Sequence, residues 1–178
     1  REINLNVGSG SHAERSGQIM MEEEKEMLQE KPDWVLVYGD TNSTIAGALA
    51  ASKLHIPVAH VEAGLRSFNR AMPEEINRIA TDHIADYLFA PTKNAVNLLA
   101  KEGLSERSIF SGDVMFDSML YYQNIANVKC PLEKIIPENP HEYFLATVHR
   151  QENTDNVDNL QNIFLAFSEL DHPVIVPL

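Results

Sequence analysis

Short apolar runs rich in β-branched residues alternate with segments of helical period through most of this chain, joined by connections of a few residues. Residues 33–38, Asp-Trp-Val-Leu-Val-Tyr, lie between Pro32 and Gly39, the punctuation expected around a buried parallel strand. Residues 56–61, 87–90 and 109–111 read as further strands. Residues 43–53 form an Ala- and Leu-rich helix with Thr41 or Asn42 as N-cap, residues 92–102 a helix closed by Gly103, and residues 115–125 another. A helix from about Pro73 puts Ile76, Ile79, Ala80, His83 and Ile84 on one face and Glu75, Arg78 and Asp82 on another, so the apolar face is expected to pack on the sheet. This alternation predicts an α/β fold of right-handed parallel βαβ units, with ligands at the carboxyl ends of the strands.

The pattern breaks at residues 127–142, where Pro131, Pro137 and Pro140 interrupt every period and predict a linker between a domain at 1–126 and the start of another at 143–178. Residues 143–148 restart a strand and residues 156–170 a helix, with Leu160, Ile163, Phe164 and Phe167 at helical spacing. The chain opens at Arg1 without a methionine or signal-peptide pattern and stops in an apolar run at Pro177-Leu178, so a piece of a longer protein is expected.

Composition limits the function classes. A chain of 178 residues that is 44% hydrophobic and 22% charged can bury a core, against a disordered or fibrous reading. Its formal net charge of −12 argues against a nucleic-acid surface, which needs clustered Lys and Arg. The single cysteine, Cys130, cannot form an internal disulfide, and no apolar stretch approaches the roughly 20 residues that span a bilayer, so the cytoplasm is the default compartment with no membrane partner. Seven histidines without ligand spacing give no metal site. The Gly8-Ser9-Gly10-Ser11-His12 segment lacks the lysine of a phosphate loop and reads as a flexible turn, and the acidic run at 22–26 reads as the solvated face of an amphipathic helix.

Acid and base candidates fall at the predicted strand ends. Asp40 follows the first strand and is open to two readings, a helix cap or a base. Glu62 follows a buried strand and precedes Ala63-Gly64, where backbone can approach a ligand, which favours function. Arg66 is either the ion-pair partner of Glu62 or a phosphate ligand. Glu74 lies in a first helical turn, where it forms a dipole-stabilising pair with Glu75 and a surface salt bridge to Arg78, or else serves as an acid. His149 and Arg150 follow the strand beyond the linker, in a structural role or as phosphate-binding and proton-donating groups.

Four segments in one order carry a resemblance: Gly39-Asp40-Thr41-Asn42-Ser43-Thr44, His60-Val61-Glu62-Ala63-Gly64-Leu65-Arg66, Met72-Pro73-Glu74-Glu75-Ile76-Asn77-Arg78 and Val148-His149-Arg150-Gln151-Glu152-Asn153. They resemble the successive motifs of the UDP-N-acetylglucosamine 2-epimerase family, of the bacterial non-hydrolysing kind. The resemblance implies Rossmann-like, doubly wound parallel sheets in a GT-B-type two-domain architecture, the second domain truncated, with a sugar nucleotide held in the cleft. It implies interconversion of UDP-GlcNAc and UDP-ManNAc for bacterial surface polysaccharide synthesis. Anti elimination of UDP gives a 2-acetamidoglucal, and UDP then adds back, with no metal or redox cofactor and with homodimers as the assembly.

Carried over by motif, Asp40, Glu62 and Glu74 match the catalytic carboxylates, with Glu62 or Asp40 as the base. His149 matches the histidine associated with the departing nucleotide, and Arg66 and Arg150 are the expected substrate-binding arginines. Missing family segments imply that the isolated fragment is inactive. Four other readings remain: a 2-epimerase of UDP-2,3-diacetamido-2,3-dideoxyglucuronate, a hydrolysing epimerase, and, from different classes, a GT-B glycosyltransferase and a non-catalytic nucleotide-sugar sensor.

Overall fold

The strands that end at Tyr38 and Val61 give way to Gly39 and Glu62, and the helices that begin at His12, Asn42 and Lys93 each follow a hydroxyl side chain, Ser11, Thr41 or Thr92, that accepts a free N–H group. The computed structural model describes residues 2–8, 10–130 and 142–177. Contacts divide the chain into two units, Arg1–Ser118 and Met119–Leu178.

The first unit runs α1 (His12–Glu30), β1 (Val35–Tyr38), α2 (Asn42–Lys53), β2 (Val58–Val61), α3 (Pro73–Ile84), β3 (Tyr87–Ala90), α4 (Lys93–Lys101), a 3₁₀ turn (Ser105–Arg107), β4 (Ser108–Phe110) and the start of α5 (Val114–Lys129). The strands form one parallel sheet in the order β1-β2-β3-β4. Right-handed crossovers between consecutive parallel neighbours put the connecting helices on one face. Burial agrees: Val37, Val58, Leu88 and Ala90 on that face close against Ala48 and Ala51 of α2 and Ala95 and Leu99 of α4. Leu36, Tyr38, Tyr87 and Ile109 on the other face are exposed. The central strand β2 is buried along its whole length.

Local chemistry sets the helix starts. Ser11 and Glu14 form a capping box on α1, Thr41 and Thr44 another on α2, Thr92 caps α4, and Pro73 occupies the first turn of α3. The Thr44 hydroxyl donates to Tyr38 O at 2.5 Å, tying the start of α2 to the end of β1.

Two helices depart in part from their expected faces, although Ile84 of α3 packs against the core as expected. On α3 the buried residues are Glu75, Thr81 and Asp82, whereas Ile76 is 42% exposed. The charged stripe turns inward because each of its charges meets a partner there, and paired charges can be enclosed where lone ones cannot. On α1, Glu23 of the acidic run is half-buried against α2, close enough that a Cβ on Gly47 would lie 3.1 Å from its Oε2.

The second unit pairs β5 (Phe144–Leu145) with β6 (Val174–Ile175) in parallel, and carries α6 (Gln151–Thr154) and α7 (Val157–Ser168), the latter capped by Asn156. The strand expected over 143–148 is only two residues long. Helix α5 extends to Lys129, past the expected domain end at 126, because nothing breaks the helical pattern before Pro131. Residues 131–141, most of the expected linker, lie outside the described residues, as does Ser9 of the glycine-rich turn. Among the described residues no helix is long and apolar enough to cross a membrane.

Candidate active site

Strands β1 and β2 end level with each other, Tyr38 opposite Val61, so the residues that follow leave the sheet side by side. Gly39 turns with φ +64°, and its N–H donates to Val61 O at 3.0 Å. Glu62 turns with φ +69°, an unusual conformation for a residue with a side chain. A Cβ on Gly39 would lie 3.2 Å from Glu62 Oε2, so glycine here leaves the space into which that carboxylate folds. Asp40 and Glu62 are thereby brought to the same sheet edge. The Glu62 carboxylate has no hydrogen-bond or ion-pair partner among the described residues.

Asp40 is not the helix cap, since Thr41 fills that place. Its carboxylate is ion-paired with Arg78 of α3, and its backbone oxygen accepts from Asn77 Nδ2 at 2.9 Å. Arg78 also reaches Glu75 Oε2 at 2.9 Å. Glu75, 1% exposed, accepts from the Ser67 and Phe68 N–H groups at 2.9 Å each, so it pins the loop between β2 and α3. Burial pushes its pKa up, but the two backbone N–H groups and Arg78 outweigh that and hold it below the ordinary carboxylate value.

Glu74 is exposed at the start of α3. The salt bridge to Arg78 expected of the acidic pair Glu74 and Glu75 forms through Glu75, but it is enclosed rather than on the surface, and Arg78 also pairs with Asp40.

Arg66 also departs from expectation. It is paired not with Glu62 but with Asp82 at 2.7 Å and Glu102 at 2.8 Å, with its side chain 2% exposed. A guanidinium enclosed between two carboxylates is not presented to a phosphate, and this geometry supports a structural role. Burial works against its charged form, but the hydrogen bonds to Glu102 and Asp82 more than offset this and raise its pKa. Arg66 in turn is the main cause that holds Glu102 below its ordinary value.

In the second unit His149 and Arg150 follow β5, both exposed. The Arg150 carbonyl accepts from Asn153 and Thr154 N–H at 2.9 and 3.0 Å as α6 begins.

Sequence reasoning missed the supporting layer of Glu75, Asn77, Arg78, Asp82 and His60. Two signals pointed to it: the charges at 75, 78 and 82 recur at helical spacing, and His60 interrupts an otherwise apolar strand. Among the described residues no three His, Cys, Asp or Glu side chains converge as a metal ion would require.

A family model described as UDP-N-acetylglucosamine 2-epimerase matches residues 1–178. The chain belongs to that family.

Within the UDP-N-acetylglucosamine 2-epimerase family, a homolog from Methanococcus maripaludis is 54% identical over 178 residues, covering 98% of this chain and 49% of its own length. A Pseudomonas aeruginosa protein named UDP-2,3-diacetamido-2,3-dideoxy-D-glucuronate 2-epimerase is 48% identical over 183 residues, covering 99% and 50%. The crystal structure of the Methanocaldococcus jannaschii UDP-GlcNAc 2-epimerase, in complex with UDP-GlcNAc and UDP, superposes with a TM-score of 0.89 at 49% identity, over 97% of this chain and 49% of that one. The chain thus spans about half the length of these relatives.

Proposed function

We propose that this chain is part of a UDP-N-acetylglucosamine 2-epimerase that interconverts UDP-GlcNAc and UDP-ManNAc by eliminating and re-adding UDP. Glu62 takes the C2 proton. The C2–H electron pair becomes the C1=C2 double bond of a 2-acetamidoglucal while the C1–O bond breaks and UDP leaves with its electrons. UDP then adds back to C1 as a proton reaches C2 from the opposite face. Asp40 and Glu74 are the remaining proton-handling carboxylates, and His149 with Arg150 stabilises the departing diphosphate. The cytoplasm and a homodimer are the compartment and assembly that go with this reading, and sedimentation tests the second.

The observation that carries the proposal is the Glu62 carboxylate, unpartnered among the described residues, beside a Gly39-Asp40 turn whose aspartate is engaged by Arg78. An acceptor left open at the carboxyl end of a parallel strand suits a base that must meet a substrate C–H bond.

The test uses a chimera in which these residues replace the matched stretch of the M. jannaschii relative. Glu62→Gln should slow exchange of the C2 proton with solvent by about 10³-fold. Full exchange in both Glu62→Gln and Asp40→Asn would sink the assignment.

The 48% identity to the P. aeruginosa relative favours one second reading, a 2-epimerase of UDP-2,3-diacetamido-2,3-dideoxy-D-glucuronate. Product analysis with each sugar nucleotide separates the two.

A further inference from the structure

His60 stands in β2 with its side chain fully enclosed, at 0% exposure. Both ring nitrogens have partners: Nε2 lies 2.7 Å from the Gly39 carbonyl oxygen and Nδ1 lies 2.8 Å from Asp82 Oδ1. A carbonyl oxygen only accepts, so the proton on that side belongs to Nε2. The other contact holds one proton between imidazole and carboxylate.

The second oxygen of Asp82 accepts the Gly64 N–H at 3.1 Å and meets Arg66 at 2.7 Å. Arg66 is clamped in turn by Glu102 through Nε and Nη2, both at 2.8 Å. One buried imidazole–carboxylate pair therefore reaches both turns of the candidate site. Gly39 precedes Asp40 directly, and Gly64 follows Glu62 by two residues. A valine or leucine would fill the same core position without requiring buried charges to be matched, so packing alone does not account for an imidazole here.

We propose that His60 is a positioning residue which, through Asp82, sets the separation of the turns bearing Asp40 and Glu62; this rests on the reading that those carboxylates handle the substrate's protons. The imidazole holds Gly39 from the β2 side, and its carboxylate partner holds Gly64 from the α3 side. A shift of about 1 Å between two such turns is enough to lower turnover by about 100-fold while leaving binding nearly intact.

Proton–nitrogen correlation spectra of the full chain read the tautomer of His60 without any substitution. The expected result is a proton on Nε2 that exchanges slowly with solvent. His60→Asn, too short to reach Gly39, should move the carboxyl carbon resonances of Asp40 and Glu62; His60→Gln, whose amide nitrogen stands near the place of Nε2, should leave them close to those of the parent. In the chimera described above, His60→Asn should lower kcat about 100-fold at little-changed KM, and His60→Gln should restore it to within about tenfold.

An Nε2 without a proton overturns the proposal, as does equal kcat in the two variants at equal thermal stability. If His60→Asn does not fold, the tautomer of the parent and the carboxyl signals of His60→Gln decide. If the unsubstituted chimera fails to epimerise, the proposed function falls while the spectra still determine whether His60 holds Gly39.

Discussion

The Arg78 guanidinium is ion-paired with the Asp40 carboxylate although 38 positions separate them in the chain. The contact joins α3 to the loop after β1, and the same guanidinium holds the buried Glu75. One cation thus links the Asp40 turn to the loop that Glu75 pins by its two backbone acceptor contacts.

Removing that cation should leave Glu75 enclosed without a counter-charge. Arg78→Met is expected to destabilise the fold by about 3 kcal/mol, read from urea unfolding. A double substitution with Glu75→Gln should recover part of the loss, since the uncompensated charge goes with it. Additive losses in the two single variants would show that they are not coupled.

Glu75 also ties stability to acid pH. Its folded pKa lies below the ordinary value of 4.5, so its contribution is fully present above 4.5 and is lost as the pH falls through the folded value. Glu75→Gln should cost about 2 kcal/mol at pH 7, and the gap from the parent should narrow below pH 4. A constant gap from pH 3 to pH 7 would contradict this.

Glu23 works in the opposite direction. Burial against α2 raises its pKa to about 7 from 4.5, and its Oε2 is buried without a hydrogen-bond partner. Its contribution is therefore full below about 4.5 and lost as the pH rises through about 7. Glu23→Gln should flatten that decline and stabilise the protein at pH 8 by about 1 kcal/mol, a figure reduced for the solvent that still reaches the side chain. Thermal unfolding of both proteins across pH 4 to 8 checks the slope.

Glu62 bears backbone strain at the end of β2. With φ at +69°, a residue more at ease in the left-handed region should relieve it. Glu62→Asn is expected to raise stability by about 0.5 kcal/mol while abolishing C2 proton exchange in the chimera. Stability and exchange falling together would argue that Glu62 is held for packing.

Gly64 combines a φ of +81° with close neighbours: an added Cβ would meet Ala95 O at 2.7 Å and Leu99 Cγ at 2.8 Å. One obstacle is backbone and cannot swing aside. Gly64→Ala should cost about 3 kcal/mol or more, far above a surface substitution, and calorimetry would detect it.

What could be read in advance follows the range of the forces involved. The runs at 33–38, 56–61 and 87–90, with Pro32, Gly39, Thr41 and Gly103 around them, placed strands and helices close to their observed bounds because strand propensity, capping and breaking act over a few residues. Parallel order followed from the alternation, and with it the edge where Asp40 and Glu62 emerge. The face of α3 could not be read that way. Its charged side is buried in addition to Ile84 of its apolar side, since Glu75 and Asp82 turn inward to meet the Ser67 and Phe68 N–H groups, His60 and Arg66.

By itself the sequence determined the α/β alternation, the parallel sheet, the family and which carboxylates stand at strand ends. Only the tertiary structure decided the partners: Arg66 with Asp82 and Glu102, Arg78 with Asp40, His60 with Gly39, and Glu62 unpartnered among the described residues. The reason is physical. A charge tolerates burial only through a counter-charge or hydrogen bond supplied by another element, and which element supplies it is settled when the strands and helices pack.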